Sequence, residues 1–266
     1  MRVLPLLLML LGTPASAHEF WIEPLVYQPD AKGRLEANLV NGQSFGGAPI
    51  AFLPSWFQRF VITAAGQEVE VSSRMGDLPA VAQAVLGDGL HVVVYQSTVD
   101  KVTYQDYAKF AKFAVHKDLG DVRTRHVARG LPEAGFAESY TRFSKSLVGV
   151  GTGVGADSRL GLETEIVALN NPYVDDLAAG MRVQLFYGDA VRSDAQVEVF
   201  EKAADGTVLV STVRTDAEGV AVVPVRRGYA YMLDAVLLRE PDAALAAARG
   251  VVWETLWANL TFAVPQ

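Results

Sequence analysis

The chain has 266 residues, a formal net charge of −7, no cysteine, and half of its residues hydrophobic. The missing cysteine excludes a disulfide framework and a lipidated cysteine, and the acidic balance argues against a nucleic-acid partner, whose phosphates need a basic surface. The length suits two domains, each able to bury a core.

Met1 and Arg2 form a short basic start, Val3 to Leu11 is apolar apart from Pro5, and Ala15-Ser16-Ala17 places small residues where a signal peptidase reads. Residues 1–17 are therefore expected to be a cleavable export signal, cut after Ala17, giving a periplasmic product. The apolar run is well short of the roughly 20 residues of a spanning helix, and no later run reaches that length, so no transmembrane segment is expected in the mature chain. Cleavage there creates a free α-amino group on His18, of a type with a reference pKa of about 7.7–8.0, which a metal ion can displace near neutrality. That amine and the Nδ1 of the same residue can close a chelate on one ion, an N,N pair that suits Cu(II) or Ni(II).

Beyond the junction, Phe20, Ile22, Leu25 and Tyr27 alternate as a first strand, and 34–40 form a second that ends at the turn signal Asn41-Gly42. Residues 43–54 read as a loop, and 60–63 and 69–72 as a hairpin around Ala64-Ala65-Gly66-Gln67. Asp77-Leu78-Pro79 opens a short helical stretch through Leu86, after which 90–95 form a buried strand. From 103 to 147 the spacing changes. Tyr104, Tyr107, Ala108, Ala111, Phe113 and Ala114 recur at helical intervals and predict a helix over 103–116. A second is predicted over 121–127. A third, over 133–147, would carry Phe136, Tyr140, Phe143 and Leu147 on one face and Glu138, Tyr140, Arg142 and Lys145 as a polar face.

The glycine-rich stretch 148–158 lacks the GK[ST] ending of a phosphate loop and reads as a linker. Strands then resume to the end, with turn signals at Asp205-Gly206 and Glu218-Gly219. The expected fold class is all-β: two immunoglobulin-like or transthyretin-like β-sandwich domains. The first would span 18–155, with a helical insertion at about 103–147, and the second 160–266.

Several segments together carry a family resemblance: HEFWIEP after the signal, GFAESYTRFSKSLVGVG at 135–151, EIVALNNPY at 165–173, RTDAEG at 214–219 and WETLWANLTF at 253–262. The chain resembles the bacterial domain-of-unknown-function family 4198, whose members are described as periplasmic components associated with nickel or cobalt uptake. The resemblance implies a nickel or cobalt ion as the thing handled and a membrane metal transporter as a candidate partner. It brings no catalytic residues with it.

The chain's four histidines are His18, His91, His116 and His126, all in the first predicted domain. A brace at His18 needs one further imidazole, and the order of candidates is His126, His91, His116. Each also has a structural reading: His91 packs in an apolar strand, His116 complements a helix C-terminus, and His126 sits on a polar stretch. Glu19 and Glu23 read as solvated strand residues able to orient an imidazole. No Ser/His/Asp order, HExxH or paired-carboxylate signature appears, so binding is favoured over catalysis. The expectation is a periplasmic protein that binds nickel, cobalt or copper for uptake, delivery or sequestration. Its rivals are a non-metal adhesion or scaffold module binding a polysaccharide or membrane protein, and a copper oxidase-like enzyme.

Overall fold

The computed structural model describes residues 18–266, so the expected export signal lies outside the described residues. Strands β1 (Glu19–Pro24), β2 (Arg34–Gln43), β3 (Gly46–Ile50), β4 (Phe57–Ala64), β5 (Gln67–Glu70), β6 (Val81–Ala84), β7 (Gly89–Ser97) and β8 (Asp100–Tyr104) precede helices α1 (Tyr107–His116) and α2 (Val122–Ala128). Then come β9 (Phe136–Val150), β10 (Thr164–Ala168), β11 (Met181–Tyr187), β12 (Ala190–Val191), β13 (Gln196–Lys202), β14 (Val208–Arg214), β15 (Val220–Val223) and β16 (Ala230–Arg239). Helix α3 (Ala243–Arg249) and β17 (Trp253–Ala263) complete the chain. The expected all-β class is what the chain adopts, in several stacked sheets. No helix among the described residues is long and apolar enough to cross a membrane.

One nine-stranded sheet runs through the molecule in the order β14-β13-β16-β17-β9-β7-β4-β5, with β8 extending along β9. Its centre is β17 beside β9, paired in parallel from Trp253↔Glu138 to Thr261↔Ser146. Ten of the eleven residues of β17 are buried because both of its faces are covered. Leu256, Leu260 and Phe262 enter a core closed by the sheet of β10, β11, β12 and β15. Trp253 and Trp257 enter a second core closed by α1 and α2. A third core, with Phe20, Ile22 and Leu39, lies under the sheet of β1, β2, β3 and β6.

This sheet corrects the expected division into two separate sandwiches. It draws β4, β5, β7, β8 and β9 from the first predicted domain and β13, β14, β16 and β17 from the second. The core under β10 and β11 likewise takes Val92, Val94 and Leu147 from the first segment. The glycine-rich 148–158 stretch is thus a connection on one body. It is pinned where the Lys145 ammonium meets Asp157 at 2.7 Å and Glu165 at 3.0 Å, all three side chains buried. Gly149 within it is required because a Cβ there would meet the Tyr173 ring at 2.6 Å.

The third predicted helix is a strand. Residues 136–150 form β9, with Phe143 and Leu147 in one core and Phe136, Val148 and Val150 on the opposite face. A strand buried on both faces carries apolar residues at both parities, and here their intervals of three and four imitate a helix. The helical stretch expected through Leu86 is also a strand, β6, because pairing with β2 from Arg34↔Ala84 to Ala37↔Val81 satisfies its backbone. Asn41-Gly42 is not a turn: β2 continues through it, and the reversal falls at Ser44 and Phe45, whose φ values are 53° and 57°. Gly42 is instead a close-approach position, since a Cβ there would collide with the Gly47 backbone.

Leu260, fully buried in the central strand, tests this architecture. Leu260→Ala is expected to lower the unfolding free energy in urea by about 3 kcal/mol. Val115→Ala, at a position 82% exposed, should change it by less than about 0.5 kcal/mol.

Candidate functional site

The four histidines fall into two classes. His91 is fully buried on β7, where Nε2 accepts from the Leu86 N–H at 2.9 Å and Nδ1 donates to the Gly89 carbonyl at 3.1 Å. Burial holds its pKa below the ordinary value, which keeps the ring neutral. His126 is buried on α2, where Nδ1 accepts from the Trp253 indole at 3.1 Å and Nε2 donates to the Pro132 carbonyl at 3.0 Å. Tyr107 and Phe136 pack edge-on against its ring. Both nitrogens of each ring are used inside the protein, which corrects the ranking that put His126 and His91 first as partners for His18.

His18 and His116 are the exposed pair. His18 directly precedes β1, and its carbonyl accepts from Arg142 Nη2 at 2.6 Å. His116 ends α1 with its side chain 63% exposed, and its Nε2 lies 2.9 Å from Glu198 Oε1. The residues next to them in sequence meet directly: Lys117 Nζ lies 3.2 Å from Glu19 Oε1.

Lys117 is the hub of a buried charge cluster. Its ammonium also contacts Asp234 at 3.0 Å and Glu198 more closely still, and all four side chains are buried. Burial alone would lower the lysine's pKa, but Asp234, Glu198 and Glu19 more than offset it and hold the ammonium above its ordinary value. Burial leaves Glu198 above the usual carboxylate range, although Lys117 pulls it down. Trp257 is the platform: the Arg142 guanidinium sits 4.0 Å and Lys117 Nζ 4.8 Å from its ring centroid, and Phe113 stacks at 5.6 Å. Glu19 is therefore buried, not solvated as expected, while Glu23 pairs with Lys202 at 2.6 Å. Glu138, Tyr140 and Arg142 do not form a polar helix face. They point to one side of β9, and Lys145 to the other.

Sequence reasoning overlooked Lys117, Glu198 and Asp234. The available signal was a carboxylate at a core-facing position of an otherwise apolar strand, in QVEVFEK for Glu198 and AYMLDAVLLR for Asp234. Such a group needs a buried cation. Two cations, Lys117 and Arg142, face the three carboxylates of this cluster. Beside it opens a cleft of about 550 Å³, bordered by Phe20, Trp56, Tyr95, Tyr140 and Arg142. Among the described residues no three His, Cys, Asp or Glu side chains form a metal-holding group.

Removing the hub cation should strand three buried carboxylates. Lys117→Met is expected to cost about 3–5 kcal/mol at pH 8 and less at pH 5, where the carboxylates take up protons. Urea midpoints at the two pH values check this. Glu138 gives a second pH prediction. Burial, against hydrogen bonds from Thr255 and Tyr104 and the charge of Arg142, raises its pKa from 4.5 to about 7. The native carboxyl thus keeps a proton that the unfolded chain has released, and stability falls as pH rises across that window. Glu138→Gln should remove about 3 kcal/mol of that fall, read as a flatter stability profile between pH 5 and 8.

The family described as Domain of unknown function (DUF4198) matches residues 15–239. No curated protein matches the chain. A solved structure titled "Crystal structure of tetra-tandem repeat in extending region of large adhesion protein" is similar at 12% identity and a TM-score of 0.21. The match covers 92% of this chain and 49% of that one, so this chain spans about half its length, and at that score it carries no argument about fold or function. The family match extends over most of the chain and agrees with the resemblance read from its motifs: the protein belongs to the DUF4198 domain-of-unknown-function family.

Proposed function

We propose that the chain is exported, cut after Ala17, and binds a transition-metal ion, copper or nickel/cobalt, for uptake, delivery or sequestration. The amine and Nδ1 of His18 form the chelate, and His116 supplies the added imidazole. A membrane metal transporter is the partner to which such a protein would hand its ion.

The observation that carries this reading is the fixing of the His18 main chain. Arg142 holds its carbonyl, and the next residue, Glu19, is buried against Lys117. A terminus anchored this way presents its amine and imidazole at one place, which lowers the ordering entropy that a frayed end would lose on binding an ion. His116 adds a second feature. With Nε2 directed at the Glu198 carboxylate, Nδ1 is the nitrogen left to meet an ion, the carboxylate–histidine arrangement that orients metal ligands. The N,N chelate favours copper over nickel and cobalt.

The test compares protein that begins at His18 with protein carrying one extra glycine before it, by calorimetric titration with Cu(II) and Ni(II). The native-start protein is expected to bind one ion at least about tenfold more tightly. Its affinity should fall on acidification, since the ligand nitrogens must shed protons. His116→Ala should weaken the native-start protein only. Equal binding by the two forms, or binding by neither, overturns the proposal.

A further inference from the structure

We propose that the cleft beside His18, between the start of β1, the β7–β8 bend and β9, binds a small organic monocarboxylate with an apolar or aromatic body. A bare metal ion does not need a space of about 550 Å³, whereas that volume is typical of a small-molecule site. Trp56, 51% exposed, stands on one wall, and Phe20 and Tyr95, in tilted contact at 4.7 Å, make another. Together they offer an aromatic surface to an organic body.

The charge of the lining selects the other end of the ligand. The chain as a whole carries −7, yet the cleft is lined by Arg142 and Arg249 against a single carboxylate, Asp100. Asp100 is already engaged: Oδ2 accepts from the Tyr140 hydroxyl at 2.9 Å and Oδ1 from the Lys101 N–H at 2.7 Å. Arg249 has an exposed side chain with no hydrogen-bond or ion-pair partner among the described residues. Arg142 uses Nη2 on the His18 carbonyl, while its Nη1 is buried without an acceptor among the described residues. A guanidinium fork with an arm unfilled is completed by a planar carboxylate. The net lining charge of one positive unit matches one carboxylate, whereas a phosphate monoester brings about −1.5 to −2 at neutral pH.

This inference does not rest on the metal reading, and metal-free protein tests it. Three of the four tryptophans are buried, so acrylamide quenching of tryptophan emission reports on Trp56. Phenylacetate is expected to protect the emission saturably, and benzyl alcohol at the same concentration to leave it unprotected. Arg249→Ala should weaken phenylacetate about tenfold with its urea midpoint unchanged. Trp56→Phe should abolish the fluorescence response while calorimetry still registers binding. No saturable protection, equal protection by benzyl alcohol or phenyl phosphate, or undiminished binding by Arg249→Ala overturns the proposal. Loss of copper binding in a protein that still binds phenylacetate would count against the metal reading alone.

Discussion

The Lys117 ammonium and its three carboxylates hold together parts of the chain that lie far apart in sequence. Glu19 belongs to β1, Lys117 caps α1, Glu198 lies on β13 and Asp234 on β16. One buried cation therefore ties the first strand, the helical cover and half of the long sheet. Desolvating four ionised groups is expensive, and their attraction offsets it only because every partner is in direct contact. The cluster thus acts mainly on specificity. A register shift of β1 by one residue would turn Glu19 away and leave a buried lysine short of a carboxylate.

The sheet is arranged to let β1 reach that cluster. On the face of β9 and β17 that β1 crosses stand Ser144, Ser146 and Thr261, small residues that allow close approach. Ser144 Oγ donates to the Phe20 carbonyl at 3.3 Å, and Thr261 Oγ1 to the Ile22 carbonyl at 2.7 Å. Further along the same strands the residues become large, Trp257 and Arg142, and these support Lys117 and the His18 carbonyl. The candidate site and the packing of β1 are consequences of one pattern, small side chains under the strand and a cation–aromatic stack at its start.

Much of this was legible in the sequence where local chemistry decides structure. The helix at 107–116 is legible in its apolar spacing, and the structure adds a cap to it and to the helix at 122–128: Asp106 and Asp121 accept from the N–H groups of Ala108 and Thr124. The strand from 136 to 150 was lost because burial on both faces removes the period-two signal. The joined architecture was hidden because the β9–β17 pairing spans more than a hundred residues and leaves no local trace. At the site, His18 and His116 were named but ranked apart. No spacing rule shows that His126 and His91 have both nitrogens occupied: Trp253 reaches His126 from 127 residues away, and Pro132, Leu86 and Gly89 meet the rings through turns of the local backbone that residue spacing alone does not encode.

The central claim is that cleavage before His18 makes a chelate on a main chain already fixed by Arg142 and the Lys117 cluster. Anomalous diffraction from copper-soaked crystals of protein beginning at His18 tests it most directly. The account predicts one copper bonded to the His18 amine nitrogen and Nδ1, with the His116 imidazole as the next ligand. Copper bound elsewhere, or no ordered copper at His18 in crystals whose chain start is well defined, would contradict it.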